Sequence, residues 1–158
     1  MAPALYTSPP MSLPLQTGVK PFYRADLLFY GVDQTGPSYR AAVFFDNPNA
    51  NQDTPEDAEH GFAGRFAVFG KGGCYGDEGH CIPRGPQHRF DRRPPHPALP
   101  TMKVVRVTDR VRALIAQGQS EVVVTVVPTL ADTVGIAVEG DLERPLQFEQ
   151  LGLVTYDR

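Results

Sequence analysis

Apolar residues recur along most of this chain with a period of two, in short runs separated by Gly, Pro, Asn and Asp. That alternation sends successive side chains to opposite faces and predicts half-buried strands. Tyr23 to Val32 and Ser38 to Asp46 are rich in aromatic and branched residues. The connection between them, Asp33-Gln34-Thr35-Gly36-Pro37, has hairpin chemistry, so the two segments predict an antiparallel pair. Asn47 to His60 is polar and acidic and predicts a loop, after which Phe62 to Phe69 alternates as a third strand with Phe62, Phe66 and Val68 on its inner face. Met102 to Val107 predicts a further strand. Thr108 is placed to N-cap a short helix whose stripe is Val111, Leu114 and Ile115 and whose end is Gly118. The valine run Glu121 to Val127 suits a strand buried on both faces, Val134 to Val138 predicts another, and Pro145 to Tyr156 closes the chain as one or two strands around Gly152. About seven short strands and one helix predict an all-β fold, an antiparallel β-sandwich or squat barrel.

Length and composition narrow this picture. A chain of 158 residues with 41% hydrophobic residues can bury one core, which predicts a single β domain over residues 22–158. Residues 1–21 carry five prolines and little periodicity, and predict an extended arm lying on the domain or on a partner. Fifteen Gly and sixteen Pro predict long loops, the longest being residues 70–100, where no period survives. The net charge of −3, with no interleaved basic and aromatic stripe, argues against a nucleic-acid surface. No apolar run approaches a bilayer span, and the first residues lack both the cationic and the apolar part of a signal peptide, so the expectation is a cytoplasmic protein with no membrane partner.

Candidate chemistry concentrates in the long loop. All the His and Cys residues, His60, Cys74, His80, Cys81, His88 and His96, fall between positions 60 and 96. Thiolate and imidazole bind copper or zinc, and the glycine-rich stretch Gly70 to Cys81 could wrap several ligands around one ion. The Cys-x6-Cys spacing lacks the two-residue zinc knuckle, which leaves three readings: a disulfide or redox staple, a metal site, and packed thiols with histidines capping turns. Asn47 to Asp53 places oxygen side chains at alternate positions as calcium loops do, but Gln52 stands where the turn glycine belongs, so a solvated turn is the better reading. Asp77 and Glu78 are adjacent and point apart, and carry no assigned catalysis. Tyr75 suits an anchor in a partner's pocket or a side chain folded on its own loop. Arg84, Arg89, Arg92 and Arg93 suit a rim facing an acidic partner or a solvated loop face.

Four segments, read in order, resemble the C-terminal β domain that follows the dicopper domain in polyphenol oxidases and bacterial tyrosinase-family proteins, the domain named after a Lys-Phe-Asp-Val tetrapeptide. They are Tyr39-Arg-Ala-Ala-Val-Phe-Phe-Asp-Asn-Pro48, Phe62-Ala-Gly-Arg-Phe66, Glu121-Val-Val-Val-Thr-Val-Val-Pro128 and Leu151-Gly-Leu-Val-Thr-Tyr156. Residues Gly73 to Cys81 and Arg93 to Pro97 are similar to a loop of bacterial members. Of the name-giving tetrapeptide, Arg40 to Val43 keeps only the cation and the valine.

The resemblance implies a function by what is absent. A tyrosinase site needs two coppers, each held by three histidines, mainly from a helical bundle; this chain has four histidines and one expected helix. In the family the β domain packs over the copper domain and shields its entrance. The chain is therefore expected to be a noncatalytic accessory or capping subunit of a larger partner, such as a dicopper oxidase, with Tyr75 facing the partner's pocket and the Cys/His loop handling copper. Two other classes compete: a copper- or zinc-binding protein or metal-dependent enzyme using Cys74, His80, Cys81, His88 and His96, and a structural subunit of a homo-oligomer.

Overall fold

Ala25, Leu27 and Phe29 are fully buried and alternate with residues of the opposite face, and this pattern puts Arg24–Val32 at the centre of a three-stranded sheet. The computed structural model describes residues 3–14, 22–70, 89, 90, 92, 99–131 and 141–157. Within them the elements are β1 (Tyr6–Thr7), β2 (Met11–Ser12), β3 (Arg24–Val32), β4 (Tyr39–Phe45), β5 (Phe62–Val68), β6 (Thr101–Arg106), α1 (Thr108–Ala116), β7 (Glu121–Val122), β8 (Val124–Leu130) and β9 (Gln150–Tyr156). One antiparallel sheet has the order β1-β8-β4-β5, a second has β6-β3-β9, and β2 pairs with β7. Odd-numbered residues of β3 and β4 meet Phe66, Val68, Val105, Val124 and Val126 in one core, so the sheets form a sandwich. Neither sheet closes into a barrel.

The expected pairing of β3 with β4 is wrong. Asp33 does build a tight polar turn, its carboxylate accepting from the Thr35 N–H and hydroxyl at 2.9 Å. That turn carries the chain from one sheet to the other. β4 pairs instead with β5 and with the valine strand β8, while β3 takes β6 and β9. Phe62 also departs from expectation. Val43 lies opposite Gly64 but Phe44 opposite Phe62, so Ala63 is an extra residue that reverses the strand's parity. Ala63 turns to the main core, and Phe62 packs on Phe44 in a second, outer cluster with Ala42, Ala50 and Val127.

That outer cluster gives the 47–60 loop its role. The loop folds over the outer face of the β4–β5–β8 region, burying Ala50, and Glu56 holds it there through Arg65 at 2.8 Å and Arg40 at 3.5 Å. Gln52 donates to the Pro128 carbonyl at 3.0 Å. The described part of the proline-rich arm is likewise part of the fold. Leu13 is buried in the core, and the Ser8 hydroxyl accepts from the Val124 N–H at 2.9 Å.

Helix α1 carries the expected stripe and ends as expected. Gly118 has φ of 81°, and the Gly118 and Gln119 N–H groups donate back to the Ile115 and Leu114 carbonyls, which closes a Schellman motif. Its start differs. Val107 is the N-cap and makes no side-chain cap bond. The Thr108 hydroxyl accepts from the buried Ala25 N–H at 3.0 Å while the Val107 N–H donates to the Ala25 carbonyl at 2.9 Å. The hydroxyl thus extends the β3–β6 ladder by one rung where the strand turns into helix.

Candidate functional site

The Cys/His loop lies outside the described residues. That applies to Cys74, Tyr75, His80, Cys81, Arg84, His88, Arg93 and His96. Of the expected partner-facing arginines, Arg89 and Arg92 are described and exposed. His60 is described too, and it stands on the turn before β5 with its Nδ1 at 2.7 Å from Asp57 Oδ1. The Asp57 carboxylate also accepts from the His60 backbone N–H, and these bonds hold it below the usual Asp range. Among the described residues no three His, Cys, Asp or Glu side chains converge on a metal position. The alternating oxygens of Asn47 to Asp53 serve turns: Asn51 accepts from the Asp53 N–H, and Asn47 donates to the His60 carbonyl.

What the structure does bring together is a groove between α1 and the turn before β5. Two cavities line it. One, of about 430 Å³, lies at the start of α1 among Arg106, Thr108, Arg110, Ala58, Phe62 and Ala63. The other, of about 300 Å³, lies toward the helix end among Asp46, Glu59, His60, Arg110, Gln117 and Gln119. Arg110 lines both. Its Nε is buried with no acceptor, and the Gln119 Oε1 is buried with no donor. Gln119 gives its amide hydrogen to Asp46 Oδ2 at 3.2 Å, and Asp46 Oδ1 accepts from the Val123 N–H at 2.9 Å.

The groove is electrically polar. At one end are Arg106, Arg110 and the uncapped helix start, whose free N–H groups carry partial positive charge. At the other are Asp46, Glu59 and the helix C-terminus. Asp109 also belongs to the first turn, but its carboxylate is fully exposed and lies 3.9 Å from Arg112. Arg110, Gln119 and Asp46 were not among the residues the sequence singles out. One signal was available: an arginine in the first turn of a helix opposes the macrodipole, so Arg110 gains nothing locally from its position.

A second surface completes the inventory. Arg24, Asp26, Leu28 and Tyr30 of β3 and the even-numbered residues of β6 and β9 face away from the core, although Asp26 and Leu28 are themselves buried, and past a bulge Val32 returns to the core. There Met102, Val104, Tyr30 and Tyr156 are 53%, 42%, 37% and 38% exposed, side by side with the Arg24–Asp26 ion pair at 2.7 Å. No described helix is long and apolar enough to cross a membrane. No protein-family model matches the chain, and neither curated proteins nor solved structures yield a match.

Proposed function

We propose that the chain is a noncatalytic accessory subunit that docks on a larger protein, with the outer face of the β6–β3–β9 sheet as its principal contact. One contrast carries this reading: the other sheet has its outer face covered by the 47–60 loop, whereas this one presents Met102, Val104, Tyr30 and Tyr156 to solvent around the buried Asp26 and Leu28. Tyr, Met and Arg are the residue types enriched at protein interfaces, and contiguous exposed apolar surface is uncommon on a protein that acts alone. The resemblance to the tyrosinase-family β domain supports the same class of function and suggests a dicopper oxidase as the partner. It also supports copper handling by Cys74 and Cys81, beside the clustering of thiol and imidazole groups in their loop, and a pocket-facing Tyr75.

Native mass spectrometry of the protein isolated gently from its host tests the reading. The expected result is a complex with a larger chain that is lost in a Met102→Lys/Val104→Asp variant whose circular dichroism is unchanged. A lone monomer carrying one copper or zinc would instead favour a metal-binding protein, and a homo-oligomer would favour a structural subunit.

A further inference from the structure

The outer face of the β6–β3–β9 sheet carries two arginines in unlike states. Arg24 brings its own counter-charge: its Nε donates to Asp26 Oδ1 at 2.8 Å, its Nη2 lies 2.7 Å from Asp26 Oδ2, and its guanidinium sits 5.6 Å from the centre of the Tyr156 ring. Both oxygens of the buried Asp26 are thereby bound by one fork. Arg106 has no such partner. It stands on β6 directly across from Asp26, is exposed, and forms no ion pair with any described residue. The Asp109 carboxylate, three residues further on, lies 3.9 Å from Arg112 instead. Among the outward residues of these three strands the charged groups are Arg24, Asp26 and Arg106, so one cation is left unbalanced.

Strand geometry ties that cation to the apolar patch. Met102, Val104 and Arg106 occupy alternate positions of β6 and project to one side at intervals of about 7 Å. A surface that covers Met102 and Val104 therefore reaches Arg106 as well. Withdrawing an unpaired guanidinium from water is costly unless a hydrogen-bonded anion replaces the lost solvent. Arg24 makes no such demand, because Asp26 enters the contact with it. We infer that the larger protein docked on this face presents to Arg106 the carboxylate of an Asp or Glu set among apolar residues. This rests on the accessory-subunit reading for the existence of the partner, and it names the chemistry that selects it. A wholly apolar surface would strand the charge, and a basic one would repel it. A second copy of this chain, packed through the same face, would bring another unpaired Arg106 and no available acid, since Asp26 is buried and bound to Arg24.

The test uses the full chain and the larger protein that co-isolates with it. Arg106→Lys keeps the charge and supplies an amine, which a carbodiimide joins as an amide to a carboxylate in contact with it. Digestion and mass spectrometry of the treated complex are expected to show position 106 joined to an Asp or Glu of the larger chain. Arg106→Gln is expected to weaken the complex at least about thirtyfold, the loss for stranding one member of a covered charge pair, and Arg106→Lys to weaken it less. Unchanged circular dichroism shows that the variants are folded. Parental affinity in Arg106→Gln, or an intact complex in which position 106 joins only to acids of its own chain or to none, would overturn the inference. So would an amide to a second copy of this chain. Failure of the two proposals is separable. A complex lost in Met102→Lys/Val104→Asp but unaffected by Arg106→Gln removes the carboxylate and keeps the accessory reading; no complex between the parent chain and a larger protein removes both.

Discussion

Thr108 is the position where local sequence logic and the structure make opposite predictions. As an N-cap it would tolerate Asp or Ser and lose about 1 kcal/mol on replacement by an apolar residue of any shape. In the structure its hydroxyl is the acceptor for the N–H of Ala25, a residue with no exposure, at the centre of the β6–β3–β9 sheet. Thr108→Val keeps the volume but strands that N–H, which costs about 1–3 kcal/mol. Thr108→Ser keeps the oxygen and is expected to cost under about 1 kcal/mol. Thr108→Asp separates the readings most sharply, since it places a carboxylate 9% exposed against the Ala25 carbonyl, which already approaches the hydroxyl at 3.4 Å. Urea unfolding followed by circular dichroism measures all three. With a slope of about 2 kcal/mol per molar, a loss of about 2 kcal/mol moves the midpoint by about 1 M. A Thr108→Asp protein as stable as the parent, or a Thr108→Val protein within about 0.5 kcal/mol of it, would return Thr108 to the N-cap role and refute the ladder argument.

The arm gives a second prediction: Leu13→Ala is expected to cost about 2–4 kcal/mol in the same assay, as a core leucine does, although the residue lies in a proline-rich segment. Glu56→Gln breaks a partly exposed link to two arginines and is expected to cost about 1 kcal/mol at low salt, with the difference shrinking as salt is added. For Asp57, a carboxyl-carbon NMR titration is expected to show a midpoint below the ordinary Asp value that moves part of the way back toward it in His60→Ala, where the residue-60 backbone N–H still donates. Because the folded-state value is depressed, the Asp57–His60 pair supports the fold above the unfolded-state pKa of Asp and loses that support as pH falls through the folded one. Unchanged Asp57 titration in His60→Ala would show that the hydrogen bond is absent in solution.

The element inventory was readable because periodicity is local. Leu27 and Phe29, Ala41 and Val43, Val124 and Val126 each announce a strand through their own neighbours, and Gly118 announces a helix end. Pairing was not readable in the same way. Asp33 to Pro37 makes a competent turn whether the next strand returns beside β3 or crosses the sandwich, and the choice depends on which valine strand, far along the chain, buries more surface against β4. The parity of Phe62 was hidden for a related reason, since a one-residue bulge at Ala63 leaves no mark on composition yet reverses the side chain before it. The candidate groove was less legible still. Arg110 is one arginine among many until the fold sets it between two cavities with its nitrogen unmet. The motif-rich Cys/His loop lies outside the described residues.

The arm's register has a consequence for how the chain is made. Tyr6 pairs with Val126 and Met11 with Val122, so during synthesis the arm precedes its partners by roughly 110–120 residues. At about 5–20 residues per second that interval is about 6–24 s. Throughout it β1 and β2 have no strand to pair with, and Leu13 has no complete core to enter, because Val122, Val124 and Val126 are not yet made. Five prolines in the first 21 residues keep the waiting segment from settling into a helix or joining a stranger's sheet. Their density there is a safeguard during synthesis as much as a feature of the finished fold.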